Sequence, residues 1–166
     1  APIFHKLIIE EAKINLPMCV LNIGGISNIT IIKSQDLDQL TSRDIGPGNC
    51  LIDEWVRKNS KNKFDKNGAL SSIGKINQII IEQAQDLFSN IQNHKMSLDT
   101  KDFDISFARG LSLEDGAATL TEFTAQILSA QLIFLLEYSK KNLPWRVLIS
   151  GGGRKNEDLL KKMKEK

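Results

Sequence analysis

Apolar residues near the start of the chain fall in two short blocks, Cys19 to Ile23 and Ser27 to Lys33, about four residues apart. Short apolar, β-branched blocks broken by glycine predict two strands joined as a hairpin. A polar turn over Ser34 to Leu40 leads to a short strand through Ser42 and Arg43, which runs into Asp44-Ile45-Gly46-Pro47-Gly48-Asn49. The spacing then becomes helical. Leu51, Trp55 and Val56 predict a helix over Cys50 to Lys58, with Asn49 placed as its N-cap. Ile80, Ile81, Ala84, Leu87, Phe88 and Ile91 predict another over Asn77 to Ile91. Leu120, Phe123, Ile127, Ile133 and Leu136 predict a long, largely buried helix over Leu113 to Lys141, stopped by Asn142-Leu143-Pro144. Pro2 to Ala12 predicts a short amphipathic helix. Lys58 to Lys63 reads as a polar loop, Phe64 to Gly68 as a turn, and His94 to Phe107 as loop. Arg146 to Ser150 predicts a strand, Gly151 to Gly153 a turn, and Asn156 to Lys166 a helix. Strands first, then helices, then strand, glycine turn and helix: this order predicts an α/β fold with a mixed sheet.

Three glycine turns stand where strands end: Gly24-Gly25, Gly46-Pro47-Gly48 and Gly151-Gly152-Gly153. A glycine lets backbone N–H groups approach an anion with no Cβ in the way, and α/β sheets bind ligands beyond strand ends. One such turn is equally a plain turn. Three, each beside Asn or Asp, favour a nucleotide. None matches the P-loop, which requires Gly-Lys-Ser/Thr, and none has the dinucleotide spacing. Asp44 is the sharpest carboxylate, placed either to hold a hydrated Mg²⁺ or to orient a loop. Asp65 and Asp53 compete with it weakly, and Asp53 reads as a surface residue or as a first-turn charge set against the helix dipole. Glu114 and Asp115 read as helix caps, and Trp55 and Trp145 as core.

Composition narrows the classes. The 22 basic and 20 acidic residues are interspersed and leave a net charge of +2, which argues against a nucleic-acid partner. No apolar run reaches membrane-spanning length, and the N-terminal stretch does not read as a signal peptide. Cys19 and Cys50 have neither metal spacing nor a disulfide framework, and His5 and His94 are too few for a histidine site. A reducing cytoplasm fits. A chain of 166 residues suffices for one domain or for a piece of something larger.

Five segments, VLNIGGISNIT, RDIGPGNCLIDEW, FDKNGA, ATLTEFTA and VLISGGGRKN, resemble the anhydro-N-acetylmuramic acid kinases in order and spacing across almost the whole chain. The resemblance places the chain in the sugar kinase, Hsp70 and actin superfamily, whose fold is two RNase H-like α/β domains with ATP between them. It implies that residues 1–166 are the C-terminal lobe, truncated at both ends, an RNase H-like mixed sheet with flanking helices. Leu21 to Thr30 resembles a phosphate-binding hairpin, so Asn22, Gly24 and Gly25 are expected at the ATP phosphates. Asp44, Gly46, Gly48 and Asn49 resemble the loop beside the phosphates and metal, with Asp44 on Mg²⁺ through water. Gly151, Gly152, Gly153, Arg154 and Asn156 resemble the adenosine loop. Ile45 stands where the family usually has Thr, and Asn67 where it has Asp. The implied reaction opens the 1,6-anhydro bond of 1,6-anhydro-N-acetylmuramic acid and phosphorylates O6 from ATP, giving N-acetylmuramic acid 6-phosphate in cytoplasmic cell-wall recycling. The general base is expected upstream of Ala1, so no catalytic residue is expected here and the chain alone is expected to be inactive. Self-association as a homodimer is a further expectation. The rival readings are another sugar or carboxylate kinase of that superfamily and a non-catalytic nucleotide-binding module.

Overall fold

In the computed structural model of the chain, which describes residues 3, 7, 11, 13–34, 40–94, 97–139 and 145–166, the first apolar blocks form β1 (Met18–Ile23) and β2 (Ile26–Ile32). They pair antiparallel, from Met18 opposite Ile32 to Ile23 opposite Ser27. Only Gly24 and Gly25 lie between them, a tighter turn than the four-residue gap expected, because Ile26 already belongs to the second strand. β3 (Leu40–Pro47) pairs antiparallel with β2, with a bulge at Ser27/Asn28. Asp44 to Pro47 therefore belong to a strand and not to a loop after a short one: ladder bonds to β2 continue as far as Pro47. β4 (Arg146–Ser150) lies parallel to β1, and the sheet order is β3-β2-β1-β4. The mixed sheet expected from the element order is the one observed.

The helices are α1 (Cys50–Asn59), α2 (Gln78–His94), α3 (Leu113–Ser139) and α4 (Glu157–Lys164). The segment expected as loop over 94–107 carries two short 3-10 turns, Thr100–Asp102 and Ser106–Ala108. Of the expected N-terminal helix, Ile3, Leu7 and Glu11 are described and helical. The rest of that element, the Asn142-Leu143-Pro144 stop, most of the Ser34 to Leu40 turn, and the side chains of Leu87 and Ile91 lie outside the described residues.

Strand periodicity sorts the core. Cys19, Leu21 and Ile23 face one side of β1 and pack with Ile29, Ile31 and Ile45 against Ala125 and Leu128 of α3 and Leu159 of α4. Met18 and Val20 face the other side, with Ile32, Ile14 and Leu16. Beyond the sheet, Leu51, Ile52 and Trp55 of α1 meet Phe88 of α2 and Leu120 and Phe123 of α3 in a second cluster. Leu113–Leu136 reaches the length and mean hydropathy, 1.3, of a membrane span, contrary to the expectation that no run would. Its place between two core clusters accounts for that composition, although Ile133, expected on the apolar face, is exposed. Gly116 lets α1 and α3 touch: a Cβ there would lie 2.1 Å from Trp55 Cε2. Trp55 Nε1 donates to Leu113 O at 2.9 Å, so the two helices are pinned as well as packed. Trp55 is in the core, as expected, and Trp145 is half-buried against the sheet cluster.

Candidate functional site

Because β1 and β4 run parallel, their C-terminal ends finish side by side. The hairpin after β1 and the loop after β4 therefore share one edge of the sheet, and the β3–α1 turn joins them. Ser150 Oγ donates to Asn22 Oδ1 at 3.2 Å across the strand ends. The hairpin carbonyls are engaged by the β3–α1 turn: Gly48 N donates to Gly25 O at 2.8 Å, Asn49 N to Gly24 O at 2.7 Å, and Cys50 N to Gly25 O at 3.2 Å. Asn49 Nδ2 adds a bond to Gly24 O at 3.1 Å. Asn49 does occupy the N-cap position of α1, but it makes no side-chain cap bond. Its amide points back to the hairpin.

This interlock explains several glycines without a ligand. A Cβ on Gly48 would stand 2.2 Å from Gly24 O, on Gly153 2.2 Å from Ile23 Cγ2, and on Gly46 2.7 Å from Ile127 Cγ2. Gly151 has φ 82°, a left-handed conformation that favours glycine, and lies against Ile23 O. Two positions face space instead: around Gly25 the nearest atom to a Cβ would be Thr100 Cγ2 at 3.4 Å, and around Gly152 it would be Asn49 Nδ2 at 3.8 Å.

Gly152 lines a cavity of about 470 Å³ with Asn49, Ile52, Asp53, Phe64, Asp65, Lys66, Asn67, Lys155 and Asn156. Asn156 is also the N-cap of α4, its Oδ1 accepting from Leu159 N at 3.0 Å. Arg154 folds back to Gly151 O at 2.8 Å. Asp65 is buried and engaged, its two oxygens accepting from Leu70 N and Ser71 N at 2.8 and 3.0 Å. Asn67 takes φ 58°, a left-handed conformation that Asn tolerates better than most residues. Asp53 does stand in the first turn of α1, one of its two expected readings, but it is not a surface residue. It lines the cavity half-buried, and burial raises its carboxyl pKa above the ordinary value; Arg57 opposes this and the Asp65 charge adds to it. Asp44 lies away from this cavity. Its Oδ2 accepts from Ser97 Oγ and Leu98 N, both at 3.1 Å, so it orients the 97–98 loop, one of the two roles its position allowed. Glu114 and Asp115 do not cap α3 as expected: Ser112 Oγ accepts from Asp115 N, while Asp115 Oδ1 accepts from Lys75 N. Both cysteines are free, and burial pushes Cys19 up to about 12 and Cys50 up to about 11, so neither is a ready thiolate.

A model of the family described as anhydro-N-acetylmuramic acid kinase matches residues 1–166. The chain belongs to the anhydro-N-acetylmuramic acid kinase family. A family member from Pelagibacter ubique is 48% identical over 167 residues, covering 100% of this chain and 44% of that protein. One from Zymomonas mobilis is 38% identical, covering 96% of this chain and 42% of that protein. The chain thus spans less than half the length of these curated kinases. Among solved structures, the activator of the 2-hydroxyisocaproyl-CoA dehydratase from Clostridium difficile, with bound ADPNP, matches with TM-score 0.54 and 12% identity. It covers 92% of this chain and 52% of that one. The fold is one lobe of the actin-like, sugar-kinase type, as expected.

Sequence reasoning did not assemble the cavity of this kinase-family chain. Ile52, Phe64, Lys66 and Lys155 were not singled out as site residues, and they come from three separate segments. Asn49, Gly152 and Asn156 were, and they are in its wall. The helical phase from Asn49 carried a usable signal for Asp53, which lies one turn into α1 and so faces the same way.

Proposed function

We propose that this chain supplies one wall of an ATP site in a cytoplasmic kinase that opens the 1,6-anhydro bond of 1,6-anhydro-N-acetylmuramic acid and phosphorylates its O6, a step of cell-wall recycling. The observation that carries the reading is the cavity at the strand ends, open over Gly152, in a chain matched by the kinase family along its whole length. The residues present fit a nucleotide. Gly152 leaves room that a Cβ would narrow, Phe64 offers apolar surface, and Lys66 and Lys155 offer positive charge.

In this reading Gly152, Lys155 and Asn156 hold the nucleoside end and the Gly24-Gly25 hairpin with Asn22 lies at the phosphates. The Gly48, Asn49 and Cys50 amides are held by the hairpin carbonyls, so their part is to fix the hairpin's shape. Gly46 and Gly153 serve by close packing. Asp44, through the oxygen not engaged by Ser97 and Leu98, would hold a hydrated Mg²⁺. Such an ion neutralises charge on transferring phosphate oxygens. Asn22 orients by hydrogen bonds and cannot serve as a general base, which this reading assigns to sequence outside these 166 residues.

Isothermal titration of the chain with Mg-ATP tests the nucleotide site, with Gly152→Val as control. A Cβ at Gly152 would meet nothing nearer than Asn49 Nδ2 at 3.8 Å, so the substitution adds its bulk on the cavity side. The expected result is binding that Val abolishes. Binding equally strong in both proteins would remove the cavity from the reading, and no binding by the folded wild-type chain would overturn this chain's independent ATP site.

A further inference from the structure

We infer that Asp53 is the specificity-determining residue of the cavity, its carboxylate accepting hydrogen bonds from the vicinal 2′- and 3′-hydroxyls of the nucleotide's ribose. The inference rests on the nucleotide reading above. Asp53 is half-buried in a cavity whose other acid, Asp65, already has both oxygens engaged by backbone N–H groups. Among the described residues no hydrogen-bond donor reaches the Asp53 carboxylate; the influences on it are burial and the charges of Arg57 and Asp65. A partly desolvated carboxylate without donors is a cost in the free protein. A ligand that brings donors removes that cost.

The chemistry of the donors selects the part of the nucleotide. Phosphate oxygens carry negative charge and are repelled by Asp53 and Asp65 together. An adenine edge places an acceptor nitrogen beside its amino group, so a carboxylate facing that edge meets one donor and one repelling lone pair. A cis diol presents two neighbouring O–H donors to two carboxylate oxygens, with no acceptor forced against them. In the same cavity wall, the exposed ring of Phe64 supplies the apolar surface that a base needs. The position of Asp53 is fixed by the start of α1, whose N-terminal turn is held by the hairpin carbonyls. A site built to receive hydroxyls discriminates strongly against analogues that lack them, because its acceptor is then left unpaired.

The test compares ATP with 2′,3′-dideoxy-ATP on the wild-type chain and on Asp53→Ala, by titration calorimetry. Wild type should prefer ATP by roughly ten-fold or more. Asp53→Ala should bind the two analogues within about two-fold of each other, with dideoxy-ATP affinity unchanged from wild type. Equal affinity of wild type for the two analogues would overturn the diol assignment while leaving the nucleotide site intact. Loss of both analogues in Asp53→Ala would show a structural role and overturn it likewise. Binding of Mg²⁺ alone that Asp53→Ala removes would identify a cation as the carboxylate's partner and overturn it too. If wild type bound neither analogue, this chain's independent ATP site would itself fail, and the ribose contact with it.

Discussion

A single carboxylate carries the most testable electrostatics in the molecule. Asp53 shares its cavity with Asp65, Lys66 and Lys155 and lines a neighbouring hollow with Glu54, Arg57, Lys101 and Asp104; the charges that act on its carboxyl are those of Arg57 and Asp65. Its folded-state pKa is raised, by burial first. Below the unfolded value, about 3.9 for aspartate, both states hold the proton and the carboxyl contributes no penalty. As pH rises from there through the folded value, the native state binds more protons than the unfolded one, so stability falls. Above the folded value the penalty is complete. Asp53→Asn should therefore melt higher than wild type at pH 7 and show no such gain at pH 3. Thermal melts across that range check it; a variant that melts lower than wild type at pH 7 would mean the charge is paired.

At the scale of elements, the hairpin and the β3–α1 turn stabilise each other. Gly48→Ala would press a methyl group to 2.2 Å from Gly24 O and strain three backbone hydrogen bonds. The cost expected is about 3 kcal/mol, the upper part of the overpacking range. That corresponds to a melting temperature lower by roughly 6–12 °C for a chain of this size. Gly152→Ala, facing open space, should leave the melting temperature unchanged and serves as the matched control. These elements show what a sequence makes legible. Strand and helix identities were readable because Leu21, Ile23, Ile29 and Ile31, and then Leu120 and Phe123, repeat at the periods that burial imposes. The true length of β3 was not, because Asp44, Gly46 and Pro47 are turn-forming residues that tertiary pairing with β2 holds extended. The cavity was only partly readable. Its glycines stand out in any sequence, but whether a glycine serves a ligand or a neighbour depends on contacts such as Gly46 with Ile127, 81 residues apart in the chain by subtraction of their numbers.

For the molecule as a whole, the chain spans 44% of the Pelagibacter ubique kinase and forms one lobe of a two-lobe fold. Phosphoryl transfer depends on positioning from both sides of a cleft. The purified chain should therefore form no phosphorylated sugar from ATP and 1,6-anhydro-N-acetylmuramic acid. Adding the remaining portion of a family member in trans should restore turnover. Product formation by the chain alone, followed by phosphorus NMR, would refute this assignment of roles. The interlock at the strand ends bears on how two lobes would communicate. The hairpin tip is bonded to the first turn of α1, α1 carries Trp55, and Trp55 is pinned to the start of α3 by Leu113 O and seated on Gly116. Each of these links, from glycine turn to core helix, is a hydrogen bond or a close packing contact, which sets the glycines as the short arm of a lever whose long arm is the 27-residue helix α3.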